Sequence, residues 1–476
     1  METKHSKNWK QNCRKNRNKI VEKMEMNHFL DYNIHVNGGD KMKYIRRIVD
    51  DLIDQRSQAF NAICLLGPKG CGKTRTAKER CQTVIEFQDE ELRAGYLEVA
   101  DTSPKLFLNN PKPILFDEWQ DAPKIWGTIR KDCDDNPENI GEYFLTGSTS
   151  KKVLTAHTGT GRITEITMYP MTLFETGESN GNISLFQILT DPNYIIDGKT
   201  CSLTIEQLLF AACRGGWPRC LALNNDQAKL LIAKDYFEQI INKDISAIDN
   251  TKRNPEWTRA LLWSYARNIA TPAKKSSIYA DVRSTQNVTD KTLEDYITRL
   301  EELYVIKDID AWTPQIRSKT AIRSAKKHIF IDPSIALAAL GIEPQYFYKD
   351  LDLFGHVFEN MVLRDLCVYA QSHNARIMHY RDDVGLEADA VYQCADGSYG
   401  LIEIKTGTSK IPQAEETLLK FKEIIKKHNE NALQNKEHPK ATYREPSALI
   451  VICATAKMAY TTENGVKVIP VGCLKD

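Results

Sequence analysis

Apolar positions along this chain follow two rhythms. Short unbroken runs at 62–66, 114–116 and 143–145 read as buried strands, because each is bounded by turn residues and is too short for a helix. The stretch TRTAKERCQTVIEF after the first run reads as a helix, and a further strand is expected at 163–168, closed by Pro170. A glycine turn, Arg214-Gly215-Gly216-Trp217-Pro218, then breaks a helical region. Leu261, Leu262, Tyr265, Ala266 and Ile269 recur at helical spacing, SSIYADVR is a short helix, and Thr289 caps a third. The buried stripe of that third helix is Leu293, Tyr296, Ile297, Leu300 and Leu303; strands at 305–309 and in HIFID follow, separated by a polar loop. In the last third, FGHVFENMVLRDLCVYAQ is an amphipathic helix, and GLEADAVYQC and YGLIEIKTG are strands joined at Asp396-Gly397-Ser398.

The turn after the first strand carries chemistry. Gly67, four residues, then Gly72-Lys73-Thr74 fits G-x-x-x-x-G-K-[ST], the P-loop pattern, in the strand–turn–helix setting it requires. Gly67, Gly70 and Gly72 let backbone N–H groups, with those of Cys71 and Arg75, cradle phosphates; Lys73 reaches the β- and γ-phosphates and Thr74 offers its hydroxyl to Mg²⁺. The run 114–116 delivers Asp117 and Glu118 at the carboxyl end of its strand, where ligands of open α/β sheets bind. Asp117 is the expected Mg²⁺ residue, directly or through water, and Glu118 the base for the attacking water. The strand at 143–145 ends in Thr146-Gly147-Ser148-Thr149, which places Ser148 as a sensor of the γ-phosphate. Arg162, after the Gly-rich HTGTG, is an expected arginine finger, acting in its own site or a neighbouring subunit's, against a plain surface arginine.

Composition narrows the class. The chain has 476 residues, a net charge of +1 and 12 cysteines without a C-x-x-C pair or zinc spacing. These read as thiols in a reducing compartment, and no run is long enough to span a bilayer, so a cytoplasmic protein without membrane contact is expected. Charge is local: Lys4, Lys7, Lys10, Arg14, Lys15, Arg17, Lys19 and Lys23 face only Glu2 and Glu22, which reads as a solvated, disordered arm. The loop 314–328 carries Arg317, Lys319, Arg323, Lys326 and Lys327 with no acid. Three helices and a hairpin around this basic loop have the plan of a winged helix, with DNA as the expected contact; the alternative is a solvated spacer.

The C-terminal strands hold a second constellation. Alternation puts Glu387 and Asp389 on one face and Glu403 and Lys405 on one face of the next strand, and an odd-length turn at 396–398 brings Asp389 level with Lys405. With Glu359 on the preceding helix, Asp389 and Glu403 are candidate Mg²⁺ ligands, and Lys405 a group that orients water or stabilises the phosphorane. Without metal the same residues are a salt-bridge cluster. The order helix–strand–turn–strand with Asp389 and Glu403-Ile404-Lys405 resembles the PD-(D/E)xK nuclease core.

From about Tyr44 onward the chain resembles the prokaryotic AAA-type ATPases that end in domain of unknown function 4143. YIRRIVDDLID, GPKGCGKT, DEWQDAP, HTGTGRI, GGWPR, AWTPQIRSKTAIR, HIFIDPSIALAALG, HYRDDVGLEADAV and IEIKTG, in that order, carry the resemblance. It implies an α/β protein: a P-loop NTPase parallel sheet, then a winged-helix-like α+β unit, then a PD-(D/E)xK-like α/β domain. The divisions expected are a basic tail and lead-in at 1–43, the ATPase domain at 44–180, a helical lid or connector at 181–255, the winged-helix-like unit at 256–342 and the nuclease-like domain at 343–476. ATP and Mg²⁺ are the implied ligands, and a homo-oligomer is an expected assembly. Two functions stand beside each other: Mg²⁺-dependent ATP hydrolysis acting on nucleic acid, and a nucleotide-dependent switch or scaffold.

Overall fold

The computed structural model of the protein describes residues 44–149, 158–249, 251–314, 325–382, 385–434 and 442–476. The basic arm, His157, and Arg317, Lys319 and Arg323 of the basic loop lie outside the described residues.

The first unit runs α1 (Ile48–Arg56), β1 (Ala62–Leu66), α2 (Lys73–Lys78), β2 (Thr83–Glu86), α3 (Arg93–Thr102), β3 (Ile114–Asp117), α4 (Lys124–Asp135), β4 (Tyr143–Gly147) and β5 (Ile163–Thr167). Its five strands form a parallel sheet in the order β2-β3-β4-β1-β5. Every residue of β1, β3 and β4 is buried, which is why they are written as apolar runs without alternation. Ala62, Cys64, Phe116 and Leu145 pack toward α3 and α4, whereas Ile63, Leu65, Leu115 and Phe144 pack toward α1 and α2. One expectation is corrected: the helix after the P-loop stops at Lys78, and Thr83–Glu86 of TVIEF is the edge strand β2. Its β-branched residues Thr83, Val84 and Ile85 favour a pleated surface, and the register sets Ile85 beside Phe116.

The connector contains β6 (Ile183–Ser184), α5 (Leu185–Thr190), α6 (Ile205–Arg214), α7 (Pro218–Leu221), α8 (Asp226–Gln239) and a π turn at Ile240–Asp244. The middle unit follows with α9 (Pro255–Arg267), α10 (Lys275–Arg283), α11 (Asp290–Glu302), the antiparallel pair β7 (Ile306–Ile309) and β8 (Lys327–Phe330), and α12 (Pro333–Leu340). Thr289 caps α11 by accepting the Thr292 N–H.

The last unit has α13 (Leu351–Ser372), β9 (Arg376–Arg381), β10 (Glu387–Gln393), β11 (Tyr399–Lys405), α14 (Ile411–Gln434), β12 (Ala448–Cys453), β13 (Tyr460–Thr461), β14 (Lys467–Pro470) and β15 (Leu474–Lys475). Its mixed sheet has the order β13-β14-β12-β11-β10-β9, while β15 pairs instead with β6 of the connector. The turn between β10 and β11 is odd in length but one residue earlier than expected: the Cys394 N–H reaches Ser398 O at 2.8 Å, leaving Ala395-Asp396-Gly397 as the loop. Ala390 therefore pairs with Ile402, which sets Asp389 level with Glu403 and not with Lys405. A bulge between Ala388 and Val391 breaks the pairing of β10 with β9.

One apolar core joins the connector, the middle unit, α13 and the inner face of the C-terminal sheet, from Ile183 through Leu262, Ile297 and Phe358 to Ile452 and Leu474.

Candidate functional site

At the carboxyl end of β1 the chain turns into the P-loop. Gly67 passes so close to the next strand that a Cβ there would lie 2.2 Å from Met168 O, and Gly72, the N-cap of α2, has φ 107°. Gly70 and the buried Cys71 lie between them; the Cys71 carbonyl accepts from Arg47 Nη1 at 2.8 Å. The Lys73 ammonium is buried and donates to Gly67 O and Pro68 O, each at 2.9 Å, so the loop closes around it. Arg75 stacks over the Tyr44 ring at 5.8 Å and pairs with Glu79 at 2.8 Å.

Around this loop the polar side chains converge. Thr74 Oγ1 donates to Asp117 Oδ1 at 2.7 Å, and Thr146 Oγ1 donates to the same oxygen at 2.5 Å. Thr146 Oγ1 also accepts the Glu118 N–H at 3.1 Å, so one hydroxyl in β4 holds Asp117, the last residue of β3, and Glu118, the residue after it. Glu118 is left-handed (φ 54°), which turns its carboxylate toward β4. There it accepts the Ser148 N–H at 3.2 Å and the Ser148 hydroxyl at 3.0 Å, besides a bond from Gln120. Ser148 therefore holds Glu118. Two hard oxygen donors side by side, the Thr74 hydroxyl and the Asp117 carboxylate, fit a Mg²⁺ ion by donor chemistry.

Sequence reasoning missed a buried ion pair behind the loop. Arg47 Nε meets Glu175 Oε1 at 2.9 Å, and both side chains are almost wholly enclosed. Glu175 in turn accepts the Ile48 and Thr172 N–H groups, each at 2.8 Å. The one available signal was an arginine repeated in YIRRI at the start of α1. Beside the loop, a cavity of about 280 Å³ is lined by Tyr44, Ile45, Arg47, Gly72, Arg75, Thr76, Met171, Pro218 and Leu221. The GGWP turn forms part of its wall. A Cβ on Gly216 would lie 2.1 Å from Met171 O, so only glycine fits there.

Arg162 lies elsewhere. It precedes β5, its carbonyl accepts the N–H of Ala62 at the start of β1, and its side chain pairs with Asp134 at 2.5 Å. Strands β1 and β5 are parallel, so Arg162 sits at the opposite end of the sheet from the P-loop. A five-residue strand separates the two ends by about 16 Å. The reading of Arg162 as a finger in its own site is corrected: the chain runs from it toward the loop, and its side chain is engaged behind the sheet.

In the C-terminal unit Glu359, Asp389, Glu403 and Lys405 do meet, together with a residue assigned from sequence to the basic loop. Lys405 Nζ lies 3.0 Å from Asp389 Oδ2 and 2.5 Å from Glu403 Oε2. Lys327 Nζ lies 2.5 Å from Glu359 Oε1, 3.7 Å from Glu387 Oε1 and 4.0 Å from Asp389 Oδ1. Burial and the Asp389 charge push the Glu359 carboxyl up to about 8 and that of Glu403 up to about 7. Among the described residues no three His, Cys, Asp or Glu side chains are grouped so as to hold a metal ion. This arrangement does not meet the metal reading of Glu359, Asp389 and Glu403, because the Lys327 and Lys405 ammonium groups stand among them. The DNA reading of 314–328 is corrected at one position, because Lys327 is buried; Lys326 remains exposed in a pair with Asp310 at 2.9 Å.

Among the described residues no helix is long and apolar enough to cross a membrane. An AAA domain matches residues 59–177, domain of unknown function 8612 matches 205–346, and domain of unknown function 4143 matches 354–474. No curated protein matches the chain. Among solved structures, a Walker-type ATPase of Pyrococcus abyssi superposes with a TM-score of 0.39 at 14% identity, over 62% of this chain and 96% of its own. The ORC1 protein of Aeropyrum pernix, in complex with DNA, gives 0.24 at 12% identity, with the same coverage of 62% and 96%. At these scores neither likeness adds to the assignment, which stands on the domain matches and the P-loop sheet. Residues 59–177 thus carry an AAA domain on a P-loop sheet, and residues 354–474 carry domain of unknown function 4143.

Proposed function

We propose that the protein binds ATP at the P-loop and hydrolyses it with Mg²⁺, and that the units downstream respond to the nucleotide as a switch. The observation that carries this reading is the Thr74–Asp117–Thr146 group beside Lys73, with Glu118 oriented by Ser148 one residue further on. Lys73 would leave its two carbonyls for the β- and γ-phosphates, and the backbone N–H groups of 70–75 would hold them. Thr74 and Asp117 would hold Mg²⁺, which would supply positive charge against that developing on the phosphates. Glu118 would take the proton of the attacking water while Ser148 keeps its carboxylate in place. The cavity between Tyr44 and Pro218 suits the purine base, being apolar and adjacent to the start of α2.

Two observations favour a switch over action on nucleic acid. Lys327 of the basic loop is enclosed within the protein, and α11 beside the hairpin exposes Asp290 and Asp295. Phosphate release from ATP by the full chain, with and without duplex DNA, tests this: turnover lost in Lys73→Ala and indifferent to DNA is the expected result. Turnover that survives Lys73→Ala would overturn the P-loop assignment, and stimulation by DNA would restore the nucleic-acid reading.

A further inference from the structure

Lys327 starts in one unit and ends in another. It opens β8, a strand of the middle unit, yet its side chain is 1% exposed and ends among the acids of the C-terminal unit. Besides the three carboxylates, its ammonium donates to Asp389 O at 3.3 Å. Four oxygen-bearing groups from α13 and β10 thus surround one cation supplied from outside their unit.

The strand that carries it is clamped in place. Asn360, the residue after Glu359 on α13, accepts the Phe330 N–H at 2.8 Å and donates to Phe330 O at 2.9 Å. Two consecutive helix residues therefore hold β8, one by a side-chain charge and one by the backbone. His328, next to Lys327, is bound to Asp308 at 2.6 Å and Ala273 O at 2.9 Å, which fixes the strand from its other side. The ammonium cannot leave without breaking this docking. A buried acid left without a cation is costly, and a divalent ion brought beside a fixed ammonium is repelled.

We propose that Lys327 is a resident counter-cation: β8 latches the middle unit to the C-terminal unit by placing this ammonium between Glu359 and Asp389, and the pocket so filled takes no divalent ion. The inference is independent of the nucleotide chemistry at the P-loop.

The test measures Mn²⁺ binding to the nucleotide-free full chain by calorimetry and electron paramagnetic resonance, with Asp117→Asn in every arm to remove the P-loop carboxylate. The chain that keeps Lys327 is expected to show no Mn²⁺ site that depends on Asp389. In a Lys405→Met background, used because that second ammonium also lies 3.0 Å from Asp389, Lys327→Met is expected to gain a Mn²⁺ site absent from its parent, lost again when Asp389→Asn is added. A folded Lys327→Met chain that gains no site would overturn the proposal, as would Mn²⁺ binding that requires Asp389 while Lys327 is present. Should Lys327→Met not fold, the thermal midpoint of the Lys327 chain decides. A rise in Mn²⁺ that Asp389→Asn abolishes overturns the latch, and no such rise supports it.

Discussion

Glu118 stands in a backbone region that costs a non-glycine residue on the order of 1–2 kcal/mol, and Ser148 and Thr146 hold it there. In Glu118→Gln the amide oxygen still accepts from Ser148 but takes no proton from water. Nucleotide binding should persist while hydrolysis falls roughly 10²–10⁴-fold, measured as analogue binding against phosphate release. Equal loss of both would make Glu118 a structural residue. Thr146→Val keeps the side-chain shape and removes the hydroxyl that orients Asp117. The Mg²⁺ concentration for half-maximal turnover should rise about tenfold or more, and an unchanged Mg²⁺ dependence would deny Thr146 that role. His379 reports on a different property. Burial first, and the Lys327 charge second, lower its pKa from 6.5 to about 4. A depressed folded value means the stabilisation is complete above pH ~6.5 and is lost as the pH falls through 4, up to about 3 kcal/mol. Unfolding midpoints between pH 7 and 4 should therefore fall less steeply in His379→Gln than in the native chain.

Among the elements, α1 is tied to the P-loop by charge as well as by packing. Removing the guanidinium in Arg47→Met strands the Glu175 carboxylate in a closed environment, at a cost of about 3–5 kcal/mol in urea unfolding. Adding Glu175→Gln should recover part of that loss, because the cost lies in the orphaned charge; no recovery would assign it to packing alone. The same elements explain what the sequence makes legible. Strands β1, β3 and β4 are central and parallel, so burial on both faces forces apolar runs that stand out, and the acids at the end of β3 follow from the strand's direction. Edge strand β2 has only Ile85 buried, and its TVIE continues a plausible helix, so local pattern cannot separate the two. Parity of the turn at 395–397 was readable, whereas its position was not, since a shift of one residue keeps the faces and changes the partners. Lys327 was hidden for a further reason: a lysine ending a basic loop looks solvated until the chain brings Glu359 and Asp389 around it.

For the whole molecule, sheet direction decides what Arg162 can do. Its pairing with Asp134 is exposed and worth little, so Arg162→Ala should leave ATP affinity and the turnover of dilute protein unchanged within about twofold. A loss of turnover that grows with protein concentration would place it in a neighbouring subunit's site. The apolar core that passes from the connector to β12 has another effect, on how such a chain can change over generations. Recombination spreads units that carry their own interior, because a grafted unit then folds wherever it lands. Here a crossover between α12 and α13 would separate Leu337 and Phe330 from Phe358 and Val362, residues of one cluster. The P-loop sheet, whose two faces are filled mostly by its own helices, is the more separable portion, although Ile48 of α1 belongs to the shared cluster. The remainder is inherited as a block.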